Sequence, residues 1–312
     1  MSMRVLITGS AGFVGRHLID ECRSAGHRPL GFDTQPTPAL PEIDQLIGSI
    51  TEPYDLSRAI ERLRPDACIH LAGIAFVPRG WTDPQLVMNV NLNGTLNVLE
   101  AIRVQAPETR ILVVTSAEVY GREERPKPVR EEDGLTPSNL YGISKMAADL
   151  GTLLYHRQYE MHVMTARPQN HIGPGQSRLF VVTSFAEQLI ALKNAASPDG
   201  SLKTGNLDSE RDFTDVRDVV RAYRLLVEDG KAGQTYNIAS GRMVPIRHML
   251  EQLCQHADIT PNIETDPKLY RPTDRPPKLC IEKITQDVGW TPAIPLDQTL
   301  RDIYDDLLHQ RT

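Results

Sequence analysis

The chain has 312 residues, 40% of them hydrophobic, and a formal net charge of -6, enough apolar material for one α/β unit with a smaller lobe. The acidic balance argues against nucleic acid or an anionic membrane surface as a partner. No apolar run approaches a membrane span, and the chain enters its first strand without a signal peptide, so a cytoplasmic protein is expected. Cys22, Cys68, Cys254 and Cys280 are scattered with no Cys-x-x-Cys pair, so neither a disulfide framework nor a metal site is expected.

Arg4–Thr8 is a short apolar, β-branched run and reads as a buried strand. Gly9-Ser-Ala-Gly12-Phe-Val-Gly15 follows at once. Val14 to Ala25 then shows helical spacing through Val14, Leu18, Ile19 and Cys22. Strand, glycine turn and helix form the context that a dinucleotide-binding loop requires. Gly9 allows the tight turn, Gly12 lets backbone N–H groups approach a pyrophosphate, and Gly15 lets helix and strand pack closely. The helix start offers unsatisfied N–H donors and a positive dipole end to the phosphates.

The next strand, Pro29–Phe32, leads into Asp33. A carboxylate there accepts hydrogen bonds from the ribose hydroxyls of NAD and repels the 2′-phosphate of NADP. No basic residue occurs from Thr34 through Tyr54, so NAD(H) is favoured, with NADP(H) as the alternative. A proline-rich surface loop is expected over Thr34–Pro41. Helices are expected at Leu56–Leu63, Pro84–Val104 and Ser138–Tyr159, and strands at Ala67–Leu71, Arg110–Thr115 and Met161–Ala166, with a second loop over Glu123–Pro137. That alternation argues for a parallel, doubly wound sheet. After Asn170 the pattern loosens into helices at Phe180–Ala195, Val216–Glu228 and Ile246–His256, short strands near Leu202 and at Thr235–Ile238, and terminal helices.

Tyr141-Gly-Ile-Ser-Lys145 falls on the helix expected at Ser138–Tyr159. Residues four apart share a helix face, so phenol and ammonium lie one turn from each other. An adjacent ammonium favours the phenolate and is expected to pull the tyrosine pKa down, making Tyr141 a candidate acid/base. Tyr-x-x-x-Lys arises often by chance on amphipathic helices. The glycine loop and Ser116 give it meaning.

With Ser116, Tyr141 and Lys145, the spacing Gly-x-x-Gly-x-x-Gly resembles the extended short-chain dehydrogenase/reductase superfamily over nearly the whole chain. His70-Leu-Ala-Gly73, Asn91-Leu-Asn-Gly-Thr95, Thr115-Ser-Ala-Glu-Val-Tyr-Gly121 and Arg167-Pro-Gln-Asn170 are further markers. The resemblance implies a Rossmann-type domain over residues 1–170 and a mainly substrate-binding lobe over 171–312 with segments returning to the sheet. It also implies a homodimer formed through the helices at Pro84–Val104 and Ser138–Tyr159. For the cofactor it implies Gly9, Gly12, Phe13, Val14, Gly15, Asp33, Ser49, Ile50, Leu71, Ala72, Gly73, Asn91, Tyr141, Lys145 and Arg167. Ser49 stands where the family often has an aspartate that meets the adenine.

Arg167-Pro-Gln-Asn-His-Ile-Gly-Pro-Gly-Gln176, Gly205-Asn-Leu-Asp-Ser-Glu-Arg-Asp-Phe213 and Asp266-Pro-Lys-Leu-Tyr-Arg-Pro-Thr-Asp274 resemble the branch of GDP-4-keto-6-deoxymannose reductases and, less closely, GDP-mannose 4,6-dehydratases. Gln169 departs from a usual phenylalanine, and Asp274 from a glutamate. By that resemblance Asn170, Arg178, Arg211, Arg271 and Asp274 bind a GDP-sugar, the arginines because guanidinium forks match phosphate geometry. In a reductase Tyr141 gives the proton, Ser116 hydrogen-bonds the developing oxyanion, and Lys145 supports both the phenol and the nicotinamide ribose. Glu118 occupies the position of the C5 base in 4,6-dehydratases, and a solvent-facing strand end explains it equally well. A reductase yielding a GDP-6-deoxyhexose such as GDP-rhamnose is the leading expectation. A 4,6-dehydratase, a 4-epimerase and a non-catalytic dinucleotide sensor are the alternatives.

Overall fold

The structure, a computed structural model, describes residues 2–122, 125–195, 200–270 and 276–310. Its first half runs β1 (Arg4–Thr8), α1 (Phe13–Ser24), β2 (Arg28–Asp33), β3 (Gln45–Ile47), α2 (Pro53–Leu63), β4 (Ala67–His70), α3 (Arg79–Thr82), α4 (Pro84–Met88), α5 (Gly94–Gln105), β5 (Arg110–Val114), α6 (Leu140–Tyr159) and β6 (Val163–Pro168). The second half adds β7 (Asn170–Ile172), α7 (Val181–Asn194), β8 (Ser201–Thr204), β9 (Glu210–Asp215), α8 (Val216–Asp229), β10 (Thr235–Ile238), β11 (Met243–Pro245), α9 (Ile246–Ala257), β12 (Asn262–Thr265), α10 (Glu282–Val288) and α11 (Leu296–His309).

Seven strands form a parallel sheet in the order β10-β6-β5-β4-β1-β2-β3. Val5, Leu6 and Ile7 are fully buried, as a strand covered on both faces must be. One face carries α1 and α8, whose Leu18, Ile19, Val219, Tyr223 and Leu226 share a core with β1 and β6. The other carries α2 and α5, packed through Leu56, Ile60, Val98, Leu99 and Ile102. Each such apolar side chain contributes roughly 1.5–3 kcal/mol on burial. Leu99 thus belongs to the core and not to any exposed face of its helix. This is the Rossmann-type doubly wound architecture expected from the alternation of elements.

The second half forms a three-stranded sheet, β11-β9-β7, a two-stranded one, β12-β8, and its own apolar cluster from α7, α9 and α11. Two acids following the Gly205–Phe213 segment tie that half down. Asp215 caps α8 by accepting the Arg217 N–H at 2.8 Å and takes a hydrogen bond from Thr299 at 2.7 Å. Asp218 accepts the N–H groups of Ala293 and Ile294, both at 2.8 Å.

The helix expected over Pro84–Val104 is not regular. α4 and α5 are joined by a π-helical segment, Asn89–Asn93. Such segments mark places where a side chain is put to other use, and here that side chain is Asn91. It accepts the Ile74 N–H at 2.8 Å and donates to the Ile74 carbonyl at 3.1 Å and to Ser144 Oγ at 3.0 Å.

Candidate active site

Strand order reverses between β1 and β4, which opens a crevice at the carboxyl ends of those strands. The glycine loop closes over it. Gly9 has φ +76°, and a Cβ there would stand 2.9 Å from the Ala72 nitrogen; one on Gly15 would stand 2.4 Å from the Gly9 carbonyl. Loop, α1 and the end of β4 therefore meet at backbone contact, and the unfilled start of α1 faces a cleft of about 1160 Å³. Gly9, Gly12, Phe13, Val14, Gly15, Asp33, Ser49, Ile50, Leu71, Ala72 and Gly73 all line it. The Asp33 carboxylate accepts the Ala11 N–H at 3.0 Å, which fixes it beside the loop at the end of β2. Ser49 Oγ pairs with Thr51 Oγ1 at 2.8 Å. A bare-backbone cradle at a helix start, followed by a carboxylate one strand over, fits a dinucleotide.

Ser116, Glu118, Tyr141 and Lys145 line the same cleft. Ser116 opens the 3-10 turn Ala117–Tyr120 and accepts the Glu118 N–H at 3.2 Å, and its side chain stands near the Tyr141 phenol. Lys145 donates to the Val114 carbonyl at 3.0 Å. The protonation pattern reverses the expectation for tyrosine. Burial pushes the Tyr141 phenol up to about 12, opposed by the nearby Ser116 hydroxyl and reinforced by the nearby Glu118 charge. Burial likewise pushes Lys145 down to about 8. Desolvation is the leading cause of both shifts and favours the neutral phenol, the form that can give a proton.

Two residues implied as cofactor contacts are not among those lining the cleft. Asn91 is buried and spends its amide on Ile74 and Ser144, so it holds the loop beyond Gly73 against α6. Arg167 lies behind the site. Its Nε and a terminal nitrogen grip Asp149 at 2.9 and 2.8 Å, and the other terminal nitrogen bonds Tyr120 Oη at 2.8 Å and the Glu131 carbonyl at 2.9 Å. Thr115, the neighbour of Ser116, donates to the same Asp149 at 3.0 Å. These two motif residues position catalytic elements from the far side.

At the substrate end Asn170, Arg178 and Arg211 line the cleft; Arg271 and Asp274 lie outside the described residues. Arg211 also donates to the Glu210 carbonyl at 2.7 Å. Arg122 and Lys203, which stand in no motif, and Lys268, which stands in the Asp266–Asp274 motif but was given no role, join this wall, as does the buried Gln176. The described lining thus carries five lysine or arginine side chains besides Lys145, against the acids Asp33 and Glu118, in a chain that is acidic as a whole. That charge suits a diphosphate.

The family model for GDP-mannose 4,6 dehydratase matches residues 6–303. The chain belongs to that family. It is 37% identical to the GDP-6-deoxy-D-mannose reductase of Pseudomonas aeruginosa, over 98% of this chain and 97% of the relative. The structure of RMD from Pseudomonas aeruginosa complexed with NADPH superposes with a TM-score of 0.87 at 34% identity, covering 99% of this chain and 100% of that one. Thermus thermophilus UDP-glucose 4-epimerase in complex with NAD gives 0.86 at 26% identity, over 98% and 99% of the two chains. Membership of the GDP-mannose 4,6 dehydratase family places the chain among the extended short-chain dehydrogenase/reductase proteins, as its motifs implied. NADPH and NAD, in those two relatives, share the ADP-ribose portion that the glycine loop is shaped to meet.

Proposed function

We propose that this protein reduces a GDP-4-keto-6-deoxyhexose, taking GDP-4-keto-6-deoxymannose to a GDP-6-deoxyhexose such as GDP-rhamnose. The observation that carries this reading is the placing of Ser116, Tyr141 and Lys145 together in a cleft whose outer wall is cationic. When bound, NADH or NADPH supplies hydride to the C4 carbonyl carbon. Tyr141 gives its proton to the carbonyl oxygen, Ser116 donates a hydrogen bond to the same oxygen, and the Lys145 ammonium stabilises the phenolate left behind. Asn170 and Arg211 reach the diphosphate, with Arg178 on the same cleft. The full-length likeness to a GDP-6-deoxy-D-mannose reductase supports the same substrate.

Asp33 and the absence of any basic residue from Thr34 through Tyr54 favour NADH over NADPH, although the Pseudomonas structure carries NADPH. The purified protein should oxidise NADH stoichiometrically with GDP-4-keto-6-deoxymannose, and faster than NADPH at equal, limiting concentration. Asp33→Ala should narrow that gap. GDP-mannose alone should yield no keto product. Dehydration of GDP-mannose without net cofactor consumption would establish the dehydratase reading instead. Tightly retained NAD with interconversion of 4-epimers would establish the epimerase.

The working unit on this reading is a cytoplasmic homodimer. Exposed Leu150, Leu154 and Tyr159 on α6, with Val104 on α5, supply an apolar face for a second copy. Among the described residues no helix is long and apolar enough to cross a membrane. Light scattering at micromolar concentration should return twice the chain mass, and a monomer would remove the dimer.

A further inference from the structure

Glu118 sits where a dehydratase would keep its C5 base, yet its carboxylate is committed elsewhere. One oxygen accepts from Asn139 Nδ2 at 2.8 Å. The other is ion-paired with Arg122, one helical turn further along. Asn139 is the N-cap of α6, and its own side-chain oxygen accepts the Gly142 N–H at 2.8 Å. The backbone makes a second contact beside the first: a Cβ on Gly142 would stand 2.8 Å from the Glu118 carbonyl oxygen. The 3-10 turn that begins at Ser116 and the first turn of α6 that carries Tyr141 are therefore joined twice, once by backbone approach and once through Glu118 and Asn139.

We propose that Glu118 is a positioning residue that holds the Ser116 turn against the start of α6 through its hydrogen bond with the cap residue Asn139, and that it does not act as a proton-abstracting base at C5. Accepting a C5 proton would neutralise the carboxylate that holds Asn139 and Arg122, and so weaken the contact that supports the cap beside Tyr141. A base must present an acceptor to the substrate within hydrogen-bond reach, whereas here each carboxylate oxygen is already held by a protein donor. The inference rests on the reductase reading, for it explains how a chain of a dehydratase-named family keeps the dehydratase glutamate while spending it on geometry.

The test compares Glu118→Gln, Glu118→Ala and Asn139→Ala. Glutamine keeps an acceptor for Asn139 and gives up only the ion pair, so Glu118→Gln should retain keto-sugar turnover within roughly fivefold. Glu118→Ala should lose kcat by about tenfold or more with the KM for NADH nearly unchanged, because the cap loosens and Tyr141 drifts from Ser116. Asn139→Ala should match it, and the double variant should be no worse than either single one, as expected of two members of one unit. Hydrogen exchange reads the same lock without turnover. Amides of Tyr141 through Ser144 should exchange roughly fivefold faster in Glu118→Ala and Asn139→Ala, and at the wild-type rate in Glu118→Gln. Equal damage from Gln and Ala, unchanged exchange in Glu118→Ala, or C5 deuterium uptake by wild type that Glu118→Gln abolishes would each overturn the proposal. A wild type inert toward the keto-sugar would count against the reductase reading alone, since the exchange comparison still decides the lock.

Discussion

Tyr141→Phe should lower keto-sugar reduction by a factor on the order of 100 or more while leaving NADH binding close to wild type. The substitution deletes the proton donor and keeps the ring that fills the buried site. Ser116→Ala should lose roughly 10- to 1000-fold in rate, for it removes one donor to the developing oxyanion. The pH profile follows from the same burial. A phenol held up to about 12 stays protonated through neutrality, so no loss of the acid is expected there. Lys145, held down to about 8, loses its charge as pH rises through that value. The phenolate that Tyr141 leaves behind then loses its support, so kcat/KM for NADH should fall above about pH 8. Turnover of Tyr141→Phe at the wild-type rate would mean that another group is the acid.

Arg167→Met should destabilise the fold by about 3–5 kcal/mol, because it strands the Asp149 carboxylate in the interior. Arg167 and Asp149 are 4% and 0% exposed at the side chain, so no water can take the arginine's place. Their pairing also binds β6 to α6 and, through Thr115, to the end of β5 beside Ser116. Asp149→Leu combined with Arg167→Met should recover much of the loss, since an apolar pair of similar volume leaves no charge uncompensated. Urea titration measures both. If Arg167→Met were as stable as wild type yet bound NADH weakly, the arginine would be a cofactor ligand after all, as its motif implied.

The glycine loop, Asp33, Ser116, Tyr141 and Lys145 were legible from the chain because each depends on local order: a strand end, a turn, a helix start, a four-residue repeat. Backbone geometry at those points is set within a few residues, and the structure puts each of them on the cleft. The parallel sheet followed from the alternation of β-branched runs and amphipathic segments. β3 and β9 escaped notice, since β3 has only three residues and the Glu-Arg-Asp-Phe-Thr-Asp of β9 carries no apolar run.

What lay beyond the sequence depended on partners distant along the chain. Asn91 and Arg167 stand in motifs beside the site, and only the fold shows their side chains hydrogen-bonded to Ile74, Ser144 and Asp149. Lys203 and Lys268 joined Arg211 because the β12-β8 pair and its neighbouring loop fold back to the cleft mouth. The sequence by itself determined which groups can do the chemistry, since that follows from residue type and local spacing. Only the tertiary structure decided their protonation and orientation, because the dielectric around Tyr141 and Lys145 and the donors around Glu118 come from elements that meet only when the sheet closes.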